Sequence, residues 1–419
     1  MKREPGTGAT PAVEGRVPLR TAPFPPWPVF DEDQIEAVAE VLRSGKVNYW
    51  TGHEGRCFEE EFAESVGCRH AVAVANGTLA LELALHALGI GTGDEVVVTC
   101  RSFVASASCC LMRGAVPVFA DCDSVSQNVT AETIQAALTP KTKAIIAVHL
   151  AGWPCEMDPI MELAERHGLR VIEDCAQAHG ATYKGQPVGS LGHAAAFSFC
   201  QDKIVTTVGE GGMLTTSDEA ISKKAWSYKD HGKSWDAVHR RDHATVFKWL
   251  HESAGSNWRM TEMQAAIGRL ALRRLPDWVR VRRKHAALLD QRLGKLPALR
   301  VTLPPDHSGH SYYKYYAFLR PERLRPGWSR DRIVRALQAE GIPCGSGICP
   351  EIYLEKTFDR PGLRPADRLP VAAQLGETSL MFLVHPTLSQ ADLLDTCLAV
   401  EKVLGVAAVD GSDEARRAA

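Results

Sequence analysis

The chain has 419 residues, of which 45% are hydrophobic and 23% are charged, the composition of a globular protein with two or three domains. Its 48 Lys and Arg residues nearly balance 50 Asp and Glu residues, so no net positive field favours nucleic acid or an anionic membrane. No apolar run reaches the roughly 18 residues of a membrane helix, and the N-terminus lacks the apolar core of a signal peptide. We therefore predict a soluble, cytoplasmic protein with no nucleic-acid partner and no membrane partner.

The twelve cysteines are scattered along the chain, without CxxC pairs or histidines at zinc-binding spacing. Free cysteine behaves as a small hydrophobic residue in a reducing compartment. We therefore expect buried free thiols instead of disulfides, and no metal site.

Both ends of the chain are small, polar and charged. We expect residues 1–20 and 409–419 to be disordered, because they offer little apolar surface to offset the entropy of ordering. The first predicted helix runs from Asp31 to Gly45, since Asp31 and Gln34 have capping-box spacing and Gly45 can end the helix.

Apolar strand-like runs alternate with helical patterns from Cys68 to about Thr216. This alternation is typical of a mostly parallel sheet with helices on both faces. Ligands of such sheets bind beyond the carboxyl ends of the strands, so the polar residues that follow each strand are the candidates for a site.

A long helical stretch, Thr261 to about Leu296, connects this region to a segment of different character. That segment contains a predicted strand at Tyr312–Phe318 and predicted helices at Arg330–Glu340 and Ala391–Leu404, as in a small α+β domain. We place the large domain at residues 21–265, the connecting helix at 266–296 and the small C-terminal domain at 297–408.

Three common motifs are absent: a GxGxxG after a strand, a GxxxxGK[ST] loop and a GxSxG elbow. Nicotinamide chemistry, nucleotide hydrolysis and serine hydrolysis therefore lose support.

Two segments that follow predicted strands carry polar residues. Asn76–Gly77–Thr78 opens a helix, where free backbone amides and the Thr78 hydroxyl can hold an anion; the alternative is an ordinary helix cap. Segment 173–180 places two carboxylates, an amide and an imidazole directly after a buried strand. These side chains belong either to a ligand site or to a loop whose acids cap the next element.

Lys203 lies between the aromatic strand Phe197–Phe199 and the glycine-rich segment 209–212. Most lysines are solvated surface charges, but burial at this position would lower the pKa of the amine, as imine formation requires. An anion site, a carboxylate and an amine after three strands are what pyridoxal phosphate needs for its phosphate, its pyridine nitrogen and its aldehyde.

The order of these segments resembles that of the fold-type I pyridoxal-phosphate enzymes. More narrowly, the sequence resembles the DegT/DnrJ/EryC1/StrS aminotransferase family, which acts on keto-sugars and keto-cyclitols, over about Pro25 to Leu404. The motifs that carry the resemblance are Phe58–Ala63, Asn76–Leu81, Gly93–Val96, Val171–Gly180, Phe197–Phe199 with Lys203, Gly209–Gly212 and Asn257–Ala266.

The resemblance implies roles for individual residues. Lys203 would form the imine with the cofactor, and Asp174 would pair with the pyridine nitrogen. The other cofactor contacts that it implies are Gln177 near the phenolic oxygen, Phe103 stacked on the ring, and Gly77, Thr78 and Ser198 at the phosphate.

The resemblance also implies a homodimer with shared active sites, because Asn257 matches a residue that reaches the phosphate from the neighbouring subunit. Two positions depart from the family pattern. The family usually has proline at Cys100 or Arg101, and a bulky or aromatic residue within Cys200–Asp202. Members that carry out dehydration have histidine in place of the lysine, so Lys203 argues against that subgroup.

The sequence therefore predicts an aminotransferase that converts a ketone of a sugar, linked to a nucleotide, to an amine with glutamate as donor. One alternative is a cyclitol aminotransferase that uses glutamine and an inosose. Another is a non-catalytic sugar-binding or regulatory protein with the same fold. We expect the substrate pocket to be formed by loops 48–55, 229–257 and 345–353.

Overall fold

The computed structural model describes residues 11–15, 17–240 and 250–409. The strands are β1 (His70–Val74), β2 (Glu95–Thr99), β3 (Val116–Ala120), β4 (Thr142–Val148), β5 (Arg170–Asp174), β6 (Thr182–Tyr183), β7 (Gln186–Pro187), β8 (Ala194–Ser198), β9 (Gly212–Thr216), β10 (Leu299–Val301), β11 (Ser308–Gly309), β12 (Tyr315–Leu319), β13 (Cys344–Gly345) and β14 (Ser379–Phe382).

The helices are α1 (Glu32–Ser44), α2 (Glu54–Val66), α3 (Gly77–Ala87), α4 (Ala105–Met112), α5 (Ala131–Ala137), α6 (Met157–His167), α7 (Glu219–Lys229), α8 (Trp235–Arg240), α9 (Glu262–Leu293), α10 (Arg330–Ala339), α11 (Pro370–Thr378) and α12 (Gln390–Ala407). In the described residues, every helix is too short or too polar to cross a membrane.

A seven-stranded sheet with the order β1-β9-β8-β5-β4-β2-β3 forms the centre of the large domain. Strand β9 runs antiparallel to both of its neighbours, and the other neighbouring pairs are parallel. The prediction of a mostly parallel sheet is confirmed. Strands β1, β5 and β8 therefore end at the same edge of the sheet, which brings the segments that follow them together.

Burial on both faces explains the continuous apolar strands. Val96 and Val98 of β2 belong to the core on the α3 side of the sheet, and Val97 packs with Ile160 of α6 on the other side. All four side chains are fully buried. Each such burial stabilises the fold by about 1.5–3 kcal/mol, which an alternating polar strand would forfeit.

The small domain has a four-stranded antiparallel sheet with the order β10-β12-β14-β13. Its core includes Leu289 and Leu293 at the end of α9, together with Ile333 of α10 and Val400 of α12. Residues of α9 thus pack in the core of the small domain at one end and against the large domain at the other. A third sheet, β11-β6-β7, joins a hairpin of the large domain to the chain that leads into the small one.

Local interactions set the ends of α1 and the start of β12. Helix α1 has the predicted capping box at Asp31 and ends at Gly45, whose φ is 67°. The strand predicted from Tyr312 begins only at Tyr315, because Tyr312 has a left-handed φ of 50° and the Tyr313 amide donates to the Ala151 carbonyl of the large domain.

The N-terminal segment also differs from the prediction. The amides of Ala12 and Leu19 donate to the Glu340 carboxylate at 2.8 and 2.9 Å, and Arg20 pairs with Asp392 at 2.6 Å. The described part of residues 11–20 is therefore held against the small domain by charged groups that composition does not reveal. Residues 1–10 and 410–419 lie outside the described residues.

Candidate active site

The first feature of the site is a cradle at the N-terminus of α3. Asn76 caps the helix by accepting the Leu79 amide at 3.0 Å, while the amides of Gly77 and Thr78 have no acceptor within the helix. Gly77 faces the end of β8: a Cβ on it would lie 2.5 Å from the Cβ of Ser198. Only glycine allows this approach, which places two free amides, the exposed Thr78 and Ser198 together where an anion can bind.

Asp174 ends β5 and is buried. Its carboxylate accepts the Ser106 hydroxyl at 2.7 Å and the Ala176 amide at 3.1 Å. Burial, the largest influence, raises the pKa of Asp174, whereas these hydrogen bonds and the positive charge of Lys203 oppose the rise. Ser102 donates in turn to Ser106 at 2.8 Å, since the Ser106 proton is used on Asp174. The Asp174 carboxylate could accept a further hydrogen bond from a cationic ring nitrogen.

The neighbouring Glu173 faces the opposite side of the sheet, because successive strand residues alternate. It accepts the amides of Gly189, Leu191 and Gly192 at 2.7–2.9 Å and lies 3.0 Å from Nε2 of His149. The His149 Nδ1 accepts the Cys155 amide, so the ring proton is on Nε2 and is donated to Glu173. Glu173 therefore stabilises the scaffold, although it adjoins Asp174 in the sequence.

Gln177 and His179 are close in the sequence but have different surroundings. The Gln177 carbonyl oxygen accepts the Ala151 amide at 3.0 Å, which leaves its amide nitrogen able to donate to a ligand oxygen. His179 is buried between the rings of Phe197 and Phe199, at 5.5 and 5.6 Å, and neither ring nitrogen has a partner among the described residues. Burial lowers the pKa of His179 to about 3, with further lowering by the charges of Lys203 and Arg282.

Lys203 follows β8 and is half-buried. Its Nζ lies 4.8 Å from the ring centroid of Tyr313, and its carbonyl accepts the indole N–H of Trp27 at 2.9 Å. The Trp27 ring packs edge-on against Trp278 at 5.2 Å and beneath the Arg282 guanidinium at 5.2 Å. The backbone of the reactive-lysine loop is thus held by a residue that precedes the first long helix.

The small domain supplies the other wall. The Tyr313 hydroxyl donates to Asp202, and burial raises the Tyr313 pKa above its ordinary value. Lys314 Nζ lies 4.8 Å from the same ring centroid and 3.9 Å from the Asp202 carboxylate. Sequence analysis missed Tyr313 and Lys314, because their residues indicated only a strand and nothing local places them beside Lys203.

Phe103 lies in the loop between β2 and α4 and is 60% exposed, as a side chain that stacks on a ligand would be. It follows Ser102, which belongs to the hydrogen-bond chain to Asp174. Phe103 also lines a cavity of about 440 Å³ together with Cys349 and Ile352 of the small domain.

Asn257 is exposed and lies beside the junction of β1 and α3, where the Ala75 amide donates to the Trp258 carbonyl at 2.9 Å. That Asn257 contacts the phosphate bound by a partner subunit stays a prediction. Part of the predicted substrate loop 229–257, residues 241–249, lies outside the described residues.

Pyridoxal phosphate fits these donors. The cradle at Gly77 would be filled by any Cβ, and the buried Asp174 carboxylate has no cationic partner at hydrogen-bond distance among the described residues. The amine of Lys203 lies on the same edge of the sheet. The set thus offers one anion site, one buried acceptor and one nucleophilic nitrogen.

Comparison with known proteins agrees with this geometry. Residues 28–401 match the model of the DegT/DnrJ/EryC1/StrS aminotransferase family. The chain is 56% identical to an aminotransferase from Psychrobacter cryohalolentis, whose crystal structure superposes with a TM-score of 0.90 over 91% of this chain and 99% of that one.

Two relatives of named activity are also similar over most of their length. GDP-perosamine synthase of Caulobacter vibrioides is 39% identical over 85% of this chain and 92% of its own. UDP-N-acetyl-3-dehydro-alpha-D-glucosamine 3-aminotransferase of Acidithiobacillus ferrooxidans is 38% identical over 84% and 89%. The chain therefore belongs to the DegT/DnrJ/EryC1/StrS aminotransferase family and is a pyridoxal-phosphate-dependent aminotransferase.

Proposed function

We propose that this protein converts the ketone of a nucleotide-linked sugar to an amine, with glutamate as the amino donor. The observation that carries the proposal is the meeting of Lys203, Asp174 and the Gly77–Ser198 cradle at one edge of the sheet. The names of the two relatives, which are a GDP-sugar synthase and a UDP-sugar aminotransferase, support a sugar nucleotide as substrate class.

Pyridoxal phosphate, when bound, supplies an electron sink that allows a C–H bond next to the amino nitrogen to break. Gly77, Thr78 and Ser198 would hold the phosphate, and Phe103 would pack on the ring. The Gln177 amide nitrogen would donate to the phenolic oxygen, since the side-chain carbonyl already accepts the Ala151 amide.

The two catalytic residues act on protons. Asp174 would keep the ring nitrogen protonated, because Ser106 and Ala176 fix its buried carboxylate and no cation lies at hydrogen-bond distance from it among the described residues. Lys203 Nζ would anchor the cofactor and, once the donor amine has displaced it, could accept and return a proton.

Absorption spectroscopy tests the proposal. Protein loaded with pyridoxal phosphate should absorb near about 420 nm, as a protonated imine does, and borohydride should fix the cofactor on Lys203. A colourless protein without a reducible adduct contradicts the assignment of Lys203 and favours a non-catalytic binding protein.

A panel of half-reactions distinguishes the substrates. Aminated protein is mixed with nucleotide-linked keto-sugars and with inososes, and return of the original spectrum is followed. Turnover with a keto-sugar nucleotide supports the proposal; turnover with inososes alone, driven by glutamine, supports the cyclitol alternative. The two arms use the same protein and cofactor, so they differ only in substrate.

We also propose a homodimer with shared sites, in which Asn257 of one subunit serves the phosphate of the other. An isologous dimer places the same patch on both subunits, so each site would borrow one residue. Mixing Asn257→Ala with Lys203→Ala protein under subunit exchange should then restore part of the activity. If proven exchange restores none, Asn257 does not act across the interface.

A cytoplasmic location completes the proposal. All twelve cysteines are free in the structure, and Cys109, Cys110 and Cys175 are buried. Free thiols persist in a reducing compartment. Fractionation of cells that produce the untagged protein measures this directly, and recovery from an oxidising compartment would contradict it.

A further inference from the structure

Lys203 has a second lysine close by. The Nζ atoms of Lys203 and Lys314 each lie 4.8 Å from the centroid of the Tyr313 ring, so their separation is at most twice that distance. The Lys314 side chain is 21% exposed. Lys314 enters from the chain just before β12, and no step of the proposed function uses it.

Positive charge outweighs negative charge around Lys314. Asp202 lies 3.9 Å away, beyond an ordinary hydrogen bond, and already accepts the Tyr313 hydroxyl. Arg282 is buried nearby, and its Nη1 donates only to the Tyr312 and Tyr313 carbonyls, at 3.3 and 3.2 Å. Its Nε and Nη2 have no partner among the described residues. Lys314 and Arg282 thus face one carboxylate, Asp202, while Lys203 adds positive charge nearby, an arrangement that favours an anionic ligand.

An amino-acid donor brings such an anion. Its nitrogen must reach the position of Lys203 Nζ, and its α-carboxylate is attached to the adjacent carbon. The side-chain carboxylate of glutamate lies three further bonds away, at about 1.5 Å per C–C bond. Because Lys203 and Lys314 lie against the same Tyr313 ring, a donor bound at Lys203 would bring one of its carboxylates toward Lys314.

We infer that Lys314 is a specificity residue that binds a carboxylate of the amino donor. This inference rests on the proposed function. Ammonium groups bind carboxylates through charge-assisted hydrogen bonds, about twice as strong as neutral ones. The diphosphate of a nucleotide sugar is the other anion that enters this site. An effect confined to the donor half-reaction separates the two sources.

The experiment compares Lys314→Met and Lys314→Arg with Lys284→Met, which removes an exposed lysine of α9 as a matched control. The donor half-reaction is followed by absorbance with glutamate and with glutamine, and the acceptor half-reaction with a keto-sugar nucleotide. Calorimetry with glutarate, an unreactive dicarboxylate, measures binding without turnover. Loading with pyridoxal phosphate and the borohydride adduct at Lys203 are checked in every variant.

We expect Lys314→Met to raise the half-saturating glutamate concentration and the glutarate dissociation constant at least about tenfold, as loss of a hydrogen bond to a charged group does. Lys314→Arg should recover most of the loss, and Lys284→Met should match the wild type. Equal loss with glutamate and glutamine assigns Lys314 to the α-carboxylate, and loss with glutamate alone assigns it to the side-chain carboxylate.

Two outcomes overturn the inference. If Lys314→Met weakens only the keto-sugar nucleotide, Lys314 binds the diphosphate; if it changes neither half-reaction, Lys314 only neutralises Asp202. Both outcomes leave the proposed function intact, because the wild-type protein still transfers the amino group. A wild-type protein without any half-reaction defeats the proposed function instead.

Discussion

Lysines in the interior of the protein have two opposite kinds of surroundings. Lys229, at the end of α7, is fully buried and its Nζ is saturated: it lies 2.7 Å from Glu59, 3.3 Å from the Ala73 carbonyl and 4.1 Å from the Tyr49 ring centroid. Glu59 is also complete, since it accepts the Tyr49 hydroxyl and the Ala73 amide, both at 2.8 Å. This cluster needs no ligand.

Lys203 and Lys314 stand in the opposite situation. They share one aromatic ring, that of Tyr313; Lys314 lies 3.9 Å from the Asp202 carboxylate, and the buried Arg282 is close by. Burial lowers the pKa of Lys314, and the charges of Arg282 and Lys203 lower it further, against the opposing effect of Asp202. A buried charge whose partners are all protein groups stabilises the fold. A group of cations that outnumbers the neighbouring carboxylates instead favours the binding of an anionic ligand.

The largest expected effect comes from Lys203→Ala. Turnover should fall by several orders of magnitude, because acid-base action alone contributes about 10²–10⁴-fold and the covalent anchor is also lost. The phosphate cradle, Phe103 and Asp174 remain, so the cofactor should still bind but resist fixation by borohydride. Near-normal turnover would refute the mechanism, and the thermal midpoint should stay close to that of the wild type.

Lys229→Met should have the converse effect. It leaves the buried Glu59 without its cation, and breaking a buried ion pair costs about 3–5 kcal/mol of unfolding free energy. Denaturant titration measures this loss, and turnover per folded molecule should change little. If Lys229→Met is as stable as the wild type, the Glu59 cluster does not stabilise the fold as described.

The two adjacent acids give a smaller contrast. Asp174→Asn should keep the visible colour, because Lys203 can still form the imine, but turnover should drop as the ring nitrogen loses its anionic partner. Glu173→Gln should instead lower the unfolding free energy by about 1–3 kcal/mol, since it disturbs three backbone amides and His149. Turnover and denaturant titration on both variants should therefore give opposite patterns, and similar patterns would contradict the division of roles.

His179 should make a smaller, pH-dependent contribution to the free energy of unfolding. Its pKa is lowered to about 3 in the folded protein, while an unfolded histidine titrates near about 6.5, so acid protonates the unfolded state first. Its contribution to stability is complete above about pH 6.5 and falls progressively toward pH 3. The stability of His179→Phe should decline less between these pH values than that of the wild type. Parallel curves would show that His179 takes no part.

Much of the site could be predicted because its residues follow strands. Asp174 is the last residue of β5, and Gly77 and Lys203 lie in the segments that follow β1 and β8; because these strands end at one edge of the sheet, local patterns were enough to bring the three residues together. Trp27, Tyr313 and Lys314 were missed. Trp27 contacts Lys203 across 176 residues, and no local signal connects such distant positions.

The sequence by itself determined the elements and their order, because hydrophobic periodicity, capping residues and glycines act within one or two turns of the chain. It also determined the family, through motifs that keep their order along the chain. Only the tertiary structure decided which of two adjacent acids faces the site, since the pleat turns Asp174 toward Ser106 and Glu173 toward His149. It alone placed Lys203 and Lys314 against the same Tyr313 ring, because that arrangement depends on how the small domain packs against the large one.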